Sequence, residues 1–376
     1  MLARHFRLAE NGTNVRTELG AGLTTFLTMA YIIFVQPAVL SGAMFGIETG
    51  LDFGAVTVAT CLAAVLATMI MALHARYPIA LAPGMGQNFF LVFSVLPAAG
   101  ALAAVESGRT TAWQVGLGVI FLSGVVFLLL TLTGVREKIL NAISPSMKNA
   151  IAVGIGLFIA FIGLRNAGLI VSDPGTAVKL NPQFLSPDIV VFFCGLVVAA
   201  ALHARRVRGS ILWGIAAGAL LACALRLALP VVPGDPASSA VVAESGLMRQ
   251  FRFAEGVVAM PPAVTPTLLQ MDLVGALSAA MIPFIVIFLF MDVFDTIGTL
   301  VAVGEQGGFI KDNKLPRARQ AMLADAVGTV GGAALGTSTV TSYIESATGI
   351  EYGGRTGLAS ATTAVETQPH VTAGGE

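Results

Sequence analysis

An apolar stretch in the last third of the chain carries two aspartates and two threonines at helical spacing. Asp292, Asp295, Thr296 and Thr299 are spaced i, i+3, i+4 and i+7, so in a helix they share one face. An ionisable side chain inside a membrane span costs roughly 2.5–3.5 kcal/mol and marks a functional position by default. Asp295 lies near the centre of the run, where solvation at an interface explains it poorly, whereas Asp292 fits a packing or capping acid equally well. We therefore predict that Asp295 is a functional residue.

Glycine and polar residues interrupt two other apolar runs. LAPGMGQNFF at 81–90 contributes the amides of Gln87 and Asn88, and SYIESATGI at 342–350 contributes the carboxylate of Glu345. Non-helical backbone at membrane depth is tolerated only inside protein or beside a water-filled cavity. Glycine-mediated helix packing also explains either segment alone. Two interrupted segments at corresponding places in two halves of a chain indicate the substrate site of a transporter.

The composition indicates that these groups lie in a membrane. Hydrophobic residues make up 56% of the 376 residues and charged residues 11%, against roughly 25% charged residues in an ordinary soluble domain. A large soluble helical core would need far more charge on its helix surfaces. We predict about ten membrane-crossing segments from apolar runs of spanning length. The uninterrupted runs are about 20–40, 53–73, 113–134, 149–170, 188–203, 209–230, 274–303 and 320–336, and the interrupted ones are 78–100 and 339–364.

Charge and cysteine content narrow the partners. The net charge is zero, which argues against nucleic acid as a partner. The three cysteines, Cys61, Cys194 and Cys223, lie in apolar runs at spacings that match no metal site, so we interpret them as small buried side chains. No HExxH motif, cysteine cluster or Ser/His pair indicates a membrane enzyme, and we predict no cofactor or metal.

The positive charges and the segment order predict a topology. Most of the 21 Lys and Arg residues fall on alternate connections that include the N-terminus, which places the N-terminus in the cytoplasm. The loop at about 231–272 then lies outside the cell. GAGLTTFLTMAYIIF and IFLFMDVFDTIGTL each precede a plain span and then an interrupted one. These helices belong to the first and the eighth predicted crossings, which are an odd number of steps apart, so the two sets run in opposite directions, as in an inverted repeat.

Four motifs together resemble one transporter family. TTFLTMAYIIFVQP, APGMGQNFF, FMDVFDTIGTLVAVGEQGGF and ESATGIEYGGRTGLAS are similar to segments of the bacterial azaguanine-type hypoxanthine/guanine/adenine permeases, which belong with the xanthine and uracil permeases among the nucleobase–cation symporters. The resemblance covers residues 5 to 361. It implies an all-α polytopic membrane fold of fourteen spans in two inverted repeats of seven, with a short strand and a half-helix in spans 3 and 10.

The resemblance also implies a domain plan of a core and a gate. A homodimer through the gate domain is compatible with this plan. The implied divisions are a cytoplasmic tail at 1–19, core spans 1–4 at 20–134, gate spans 5–7 at 135–230, an extracytoplasmic loop at 231–272, core spans 8–10 at 273–364 and a polar tail at 365–376.

The resemblance assigns site residues by motif match. Asp295 corresponds to the acid of span 8, which couples the proton, and Glu345 to the span 10 group that hydrogen-bonds the base and shares in proton coupling. Span 3 contributes residues around Gly86–Phe90. The predicted substrate-binding set is Glu345, Asp295, Asn88, Gly86, Phe89 and Ser346. The sequence departs from the common pattern at Gln36 and Gln87, so the exact base preference stays open.

The predicted function is purine nucleobase uptake with a proton across the cell membrane. A carboxylate at Glu345 can accept two ring N–H bonds from a purine in a charge-assisted geometry. Phe89, Phe90 or Tyr343 either stack on the base or simply pack. The alternatives are a permease for another base such as xanthine or uracil, an anion transporter of the same architecture, and a channel. Acids at both site positions argue against the anion transporter, because a carboxylate repels an anionic substrate, and no continuous polar stripe supports a channel.

The sequence after residue 364 differs from that of the resembling family. ETQPHVTAGGE is polar where the family continues into further apolar spans. We therefore expect that spans 11 to 14 are missing, and a non-transporting fragment of such a permease is the alternative to the predicted uptake.

Overall fold

The computed structural model describes residues 2–134, 144–205, 207, 210–229, 242, 245–250, 260–310 and 315–369. The chain divides into two compact units. The first comprises Met1–Val153 and Met260–Thr372, and the second comprises Gly154–Ala259 with the last four residues. The predicted loop 231–272 and the predicted tail 365–376 lie largely outside the described residues.

After a four-residue helix, Leu2–His5, the first unit contains a long helix that is interrupted midway. Helix α1, Val15–Met29, is separated by Ala30 and Tyr31 from α2, Ile32–Leu40. Asn14 caps α1 by accepting the amide of Thr17 at 3.0 Å, so the helix begins before the predicted run at 20–40 and includes residues assigned to the tail. Helix α3, Phe53–Ile70, continues as a wider turn through Ala75.

The first interrupted segment follows α3. It consists of strand β1, Leu81–Pro83, and helix α4, Met85–Phe90, whose helical path continues to Gly100. Gly84 separates strand from helix. Helix α5, Ala112–Leu132, starts with a capping box of Thr111 and Gln114.

The second unit contains helices joined by a small hairpin. Helix α6, Pro145–Asn166, enters this unit at Gly154 and leads to the antiparallel strands β2, Ile170–Asp173, and β3, Ala177–Leu180. Helices α7, Pro187–Ala204, and α8, Ser210–Ala228, pack closely on each other. They are so close at Gly214 that a Cβ there would lie 2.7 Å from the Gly195 carbonyl oxygen.

The chain then returns to the first unit, where its elements follow the same order as before: helix, helix, strand and half-helix. Helix α9, Ile282–Gln306, and helix α10, Ala318–Leu335, lead to strand β4, Val340–Ser342. The half-helix α11, Ser346–Tyr352, follows, and α12, Gly357–Glu366, completes the second interrupted segment.

Packing within the first unit surrounds the two strands with helices. Helix α10 contacts α3 and α5, and both α11 and α12 contact α1. The approach of α11 to α1 requires glycine, because a Cβ at Gly349 would lie 2.7 Å from the Ala21 carbonyl oxygen. Buried apolar residues from the continuation of α4 and from α5, including Leu91, Val95 and Ile120, form one of the cores of this unit.

Many described helices suit a membrane. Five helical stretches are long and apolar enough to cross one by length and composition: Val15–Leu40, Phe53–Ala75, Ala112–Leu132, Pro187–Ala204 and Ile282–Gln306. Met85–Gly100 and Trp213–Ala228 are shorter apolar helices, and α6 and α10 cover the predicted runs at 149–170 and 320–336. The total of about ten crossings stays a prediction.

Candidate substrate site

The two interrupted segments meet through their strands. β1 pairs antiparallel with β4, with Leu81 opposite Ser342 and Pro83 opposite Val340. Two more backbone bonds extend the pairing, from Gly84 N to Thr339 O and from Tyr343 N to Ala80 O, both at 2.9 Å. All six strand residues are buried. The first residues of α4 and α11 are thereby fixed close to the same two-stranded ladder, inside the protein, where such irregular backbone is tolerated.

In each strand, a threonine side chain from a neighbouring helix hydrogen-bonds the backbone of the first residue. The hydroxyl of Thr68 on α3 binds both the N–H and the carbonyl of Leu81, at 2.9 Å each. The hydroxyl of Thr329 on α10 binds the N–H and the carbonyl of Val340, at 3.0 and 3.1 Å. Buried backbone groups must be paired, and in both interrupted segments a threonine hydroxyl provides this pairing.

Asp295 faces the first interrupted segment. It lies half-buried on α9, and its Oδ2 accepts a hydrogen bond from Gln87 Nε2 at 3.1 Å. The Thr341 side chain of β4 also hydrogen-bonds Asp295. The acid therefore contacts both interrupted segments and retains an exposed part.

Glu345 lies between β4 and α11. It is half-buried, and its Oε1 accepts a hydrogen bond from the Tyr31 hydroxyl at 2.7 Å. Asp295 is close enough to interact with it electrostatically. The Tyr343 hydroxyl donates to the Pro83 carbonyl at 2.5 Å, and this side chain also interacts with both acids and with Tyr31. The described structure thus brings together the two acids that the sequence predicted for the site.

The other predicted site residues have different surroundings. Asn88 is fully buried and forms a double amide pair with Gln36, which also bonds Thr337 Oγ1 at 3.0 Å. The Ser346 hydroxyl accepts the Ala80 amide at 3.0 Å and so joins the two interrupted segments. The predictions that Asn88 and Ser346 bind substrate stay untested.

Gly86 and Phe89 occupy the first turns of α4. Gly86 is half-buried near the start of this helix. The Phe89 ring packs against Phe45 and Phe93, with centroid distances of 5.7 and 6.4 Å. These contacts fit packing, and a role for either residue in binding the substrate stays a prediction.

A second acidic group lies deeper, between α9 and α10. Asp292 is buried beside Thr329, with an Oγ1 to Oδ2 distance of 3.5 Å, and Asp325 of α10 accepts from the Thr296 hydroxyl. Asp292 and Thr296 therefore face α10, whereas Asp295 faces Gln87, although periodicity alone placed all three on one face.

Tyr31 is the site residue that the sequence did not reveal. It belongs to an apolar run and lies at the break between α1 and α2, far from Glu345 in the chain. The signal that could have identified it is a polar hydroxyl near the middle of an otherwise apolar span.

The fold and the site together define a membrane transporter. Long apolar helices enclose two interrupted segments with carboxylates where they meet, which is the arrangement of secondary transporters. The transmembrane domain of a cyanobacterium bicarbonate transporter, BicA, has a similar fold, with a TM-score of 0.56 over 94% of this chain and 81% of that chain. The two share 15% sequence identity, so the likeness concerns the fold alone.

The chain belongs to the Permease family (Xan_ur_permease), whose family model matches residues 16–366. It is 45% identical over 363 residues to a permease of Methanocaldococcus jannaschii, covering 96% of this chain and 74% of that protein. The guanine/hypoxanthine permease PbuG of Bacillus subtilis is 41% identical, with 96% and 75% covered. The adenine permease AdeP of Escherichia coli is 38% identical, with 95% and 72% covered. These matches confirm the family predicted from the four motifs, which is one of permeases and not of enzymes.

Proposed function

We propose that the site binds purine nucleobases such as hypoxanthine, guanine and adenine and that the protein moves them together with a proton. The observation that carries the proposal is the meeting of Asp295 and Glu345 at the junction of the two interrupted segments, each acid held by a neutral donor. The names of the relatives favour purines over other substrates.

Glu345 is the proposed acceptor for the base. Tyr31 donates to Oε1, which fixes the side chain, and a carboxylate has further lone pairs that can accept from a ligand. A hydrogen bond from a ring N–H to a carboxylate is charge-assisted and contributes about 1.5–3 kcal/mol. Ser346, next to Glu345 in the chain, accepts the Ala80 amide and so holds the start of α11 at the first interrupted segment. Asn88, whose amide bonds Gln36, is also proposed to bind the base.

Asp295 is the proposed proton carrier. Two carboxylates that interact inside a membrane repel each other, so binding a proton to one favours binding a ligand beside the other. The same repulsion disfavours an anionic substrate, although the fold is also that of a bicarbonate transporter. Symport then requires that base and proton bind with positive coupling, which acts equally in both directions.

The test is competition binding on the purified protein. Labelled hypoxanthine is displaced by guanine, adenine, xanthine, uracil or bicarbonate over a series of pH values. Guanine and adenine should compete best, and affinity should fall as the pH rises, since the proton is then lost. Asp295→Asn should flatten the pH dependence. Displacement by uracil or xanthine in preference to purines would reassign the substrate, and a pH-independent affinity in the unmutated protein would contradict proton coupling.

We further propose that the protein lies in the cell membrane with its N-terminus in the cytoplasm. Arg4, Arg7, Arg16 and Arg76 support this orientation, because positive residues favour the cytoplasmic side. An N-terminal epitope tag should be reached by antibody only after the cell membrane is permeabilised. Labelling in intact cells would reverse the orientation.

A further inference from the structure

Gln87 carries an acceptor that no protein group uses. It lies in the first turns of α4 with 2% of its surface exposed. Its Nε2 donates to Asp295 Oδ2 at 3.1 Å. Its Oε1 is buried, and among the described residues no donor bonds it. A buried acceptor without a partner costs about 1–3 kcal/mol, so its retention requires an explanation.

The backbone around Gln87 makes room for this carbonyl. A Cβ at Gly84 would lie 2.9 Å from Gln87 Cδ and 2.9 Å from Thr341 Cγ2. Glycine therefore lets the amide fold back against the backbone at Gly84, beside Thr341, while its nitrogen holds Asp295. The carbonyl is placed at the junction of the two interrupted segments by specific local structure.

The surrounding groups match a ligand that donates hydrogen bonds better than they match an anion. Asp295, next to the amide, is half-exposed, so a ligand in contact with Asp295 lies within one side-chain length of Gln87. The other titratable groups that interact with Asp295 are Glu345 and Tyr343. Both acids and the Gln87 carbonyl accept hydrogen bonds, and a flat base offers ring N–H donors on more than one edge.

The geometry points to Gln87 as a substrate-binding residue whose Oε1 accepts one ring N–H of the base while its Nε2 positions Asp295. This inference rests on the proposed purine site. A bound base would give Gln87 Oε1 a donor and so remove the free-energy cost of a buried unpaired acceptor. It would not have to displace a hydrogen bond that already exists within the protein. Glu345 and Gln87 would then bind different N–H groups of the same ligand.

A ligand–protein double-mutant cycle tests the inference. The affinities of hypoxanthine and of its 1-, 3-, 7- and 9-methyl derivatives are measured for the unmutated protein and for Gln87→Met, which is similar in length but has no amide. Each methyl group removes one ring N–H or blocks one ring nitrogen. We expect Gln87→Met to bind hypoxanthine about tenfold more weakly and to lose the discrimination against methylation at one ring nitrogen while keeping it at the others.

Two further variants separate binding from folding. Gln87→Glu keeps an acceptor and should keep the discrimination that Gln87→Met loses. Gln306→Met changes an exposed glutamine on α9 that bonds Glu351, and it should behave as the unmutated protein. Equal weakening of all five ligands by Gln87→Met, or unchanged discrimination at every ring nitrogen, overturns the inference. If the unmutated protein binds none of the ligands, the proposed function itself fails.

Discussion

Glu18 links the start of the first helix to the end of the second interrupted segment. It is fully buried on α1, and its carboxylate accepts four hydrogen bonds. The donors are Arg355 N at 2.8 Å, Thr356 N at 3.2 Å, Thr356 Oγ1 at 2.9 Å and Ala359 N at 3.2 Å. These groups form the N-terminus of α12, where a negative charge is favourable. Replacing Glu18 by alanine should therefore detach α12 from α1.

The structure gives the size of the effect. Three of the four bonds lie in buried surroundings, and a buried donor without an acceptor costs about 1–3 kcal/mol. We expect the low end of that range for each of the three bonds, because water entering the vacated space relieves part of the loss. Glu18→Ala should therefore cost about 3 kcal/mol of folding free energy in total. For a folding unit of this size, the unfolding midpoint should fall by about 6–12 °C. Glu18→Gln keeps one oxygen and should lose about half as much.

The assay is thermal unfolding of the detergent-solubilised protein, followed by the fraction that remains monodisperse. Glu10→Gln is the matched control, because Glu10 is exposed and lies 3.7 Å from an equally exposed Arg7. Such a surface pair contributes little, so the control should leave the midpoint unchanged. A Glu18→Ala midpoint equal to that of the control would refute the view that this carboxylate fastens α12.

Other contacts at the site give further expected outcomes. Tyr31→Phe removes the donor that fixes Glu345 and should weaken purine binding by a few fold to about tenfold in equilibrium binding. Thr68→Val and Thr329→Val each strip the N–H and carbonyl of a buried strand residue of their partner, and each should destabilise the protein by about 1–3 kcal/mol in the thermal assay. Thr57→Val, on an exposed part of α3, is the control for the two threonine variants, and an equal loss of stability there would contradict the role of Thr68 and Thr329. An unchanged purine affinity in Tyr31→Phe would contradict the role of Tyr31.

The sequence was sufficient to locate the two interrupted segments and their acids. Glycine-broken apolar runs have few physical solutions at membrane depth, and the strand followed by a half-helix at 81–90 and 340–352 is the one implied by the family resemblance. Asp295 of α9 reaches Glu345 because it bonds Gln87 and lies beside Thr341, one residue from each of those segments. Local chemistry and family pattern were enough at these positions.

Contacts between distant parts of the chain could not be predicted in the same way. Tyr31 and Glu345 are 314 residues apart, and Glu18 and Arg355 are 337 apart. Periodicity identifies the face of a helix but not the neighbour it meets. Glu18 lies within the residues predicted as a cytoplasmic tail, 1–19, although its carboxylate is buried and caps another helix.

The most direct test of the central claim is equilibrium binding of labelled hypoxanthine to the purified protein and to Glu345→Ala. Loss of a charge-assisted hydrogen bond of about 1.5–3 kcal/mol should weaken binding by about tenfold to 100-fold. Glu351→Ala, on an exposed position of the same half-helix, should bind as the unmutated protein does. Saturable purine binding that disappears only in Glu345→Ala is the predicted result. Native affinity in Glu345→Ala would contradict the proposed site.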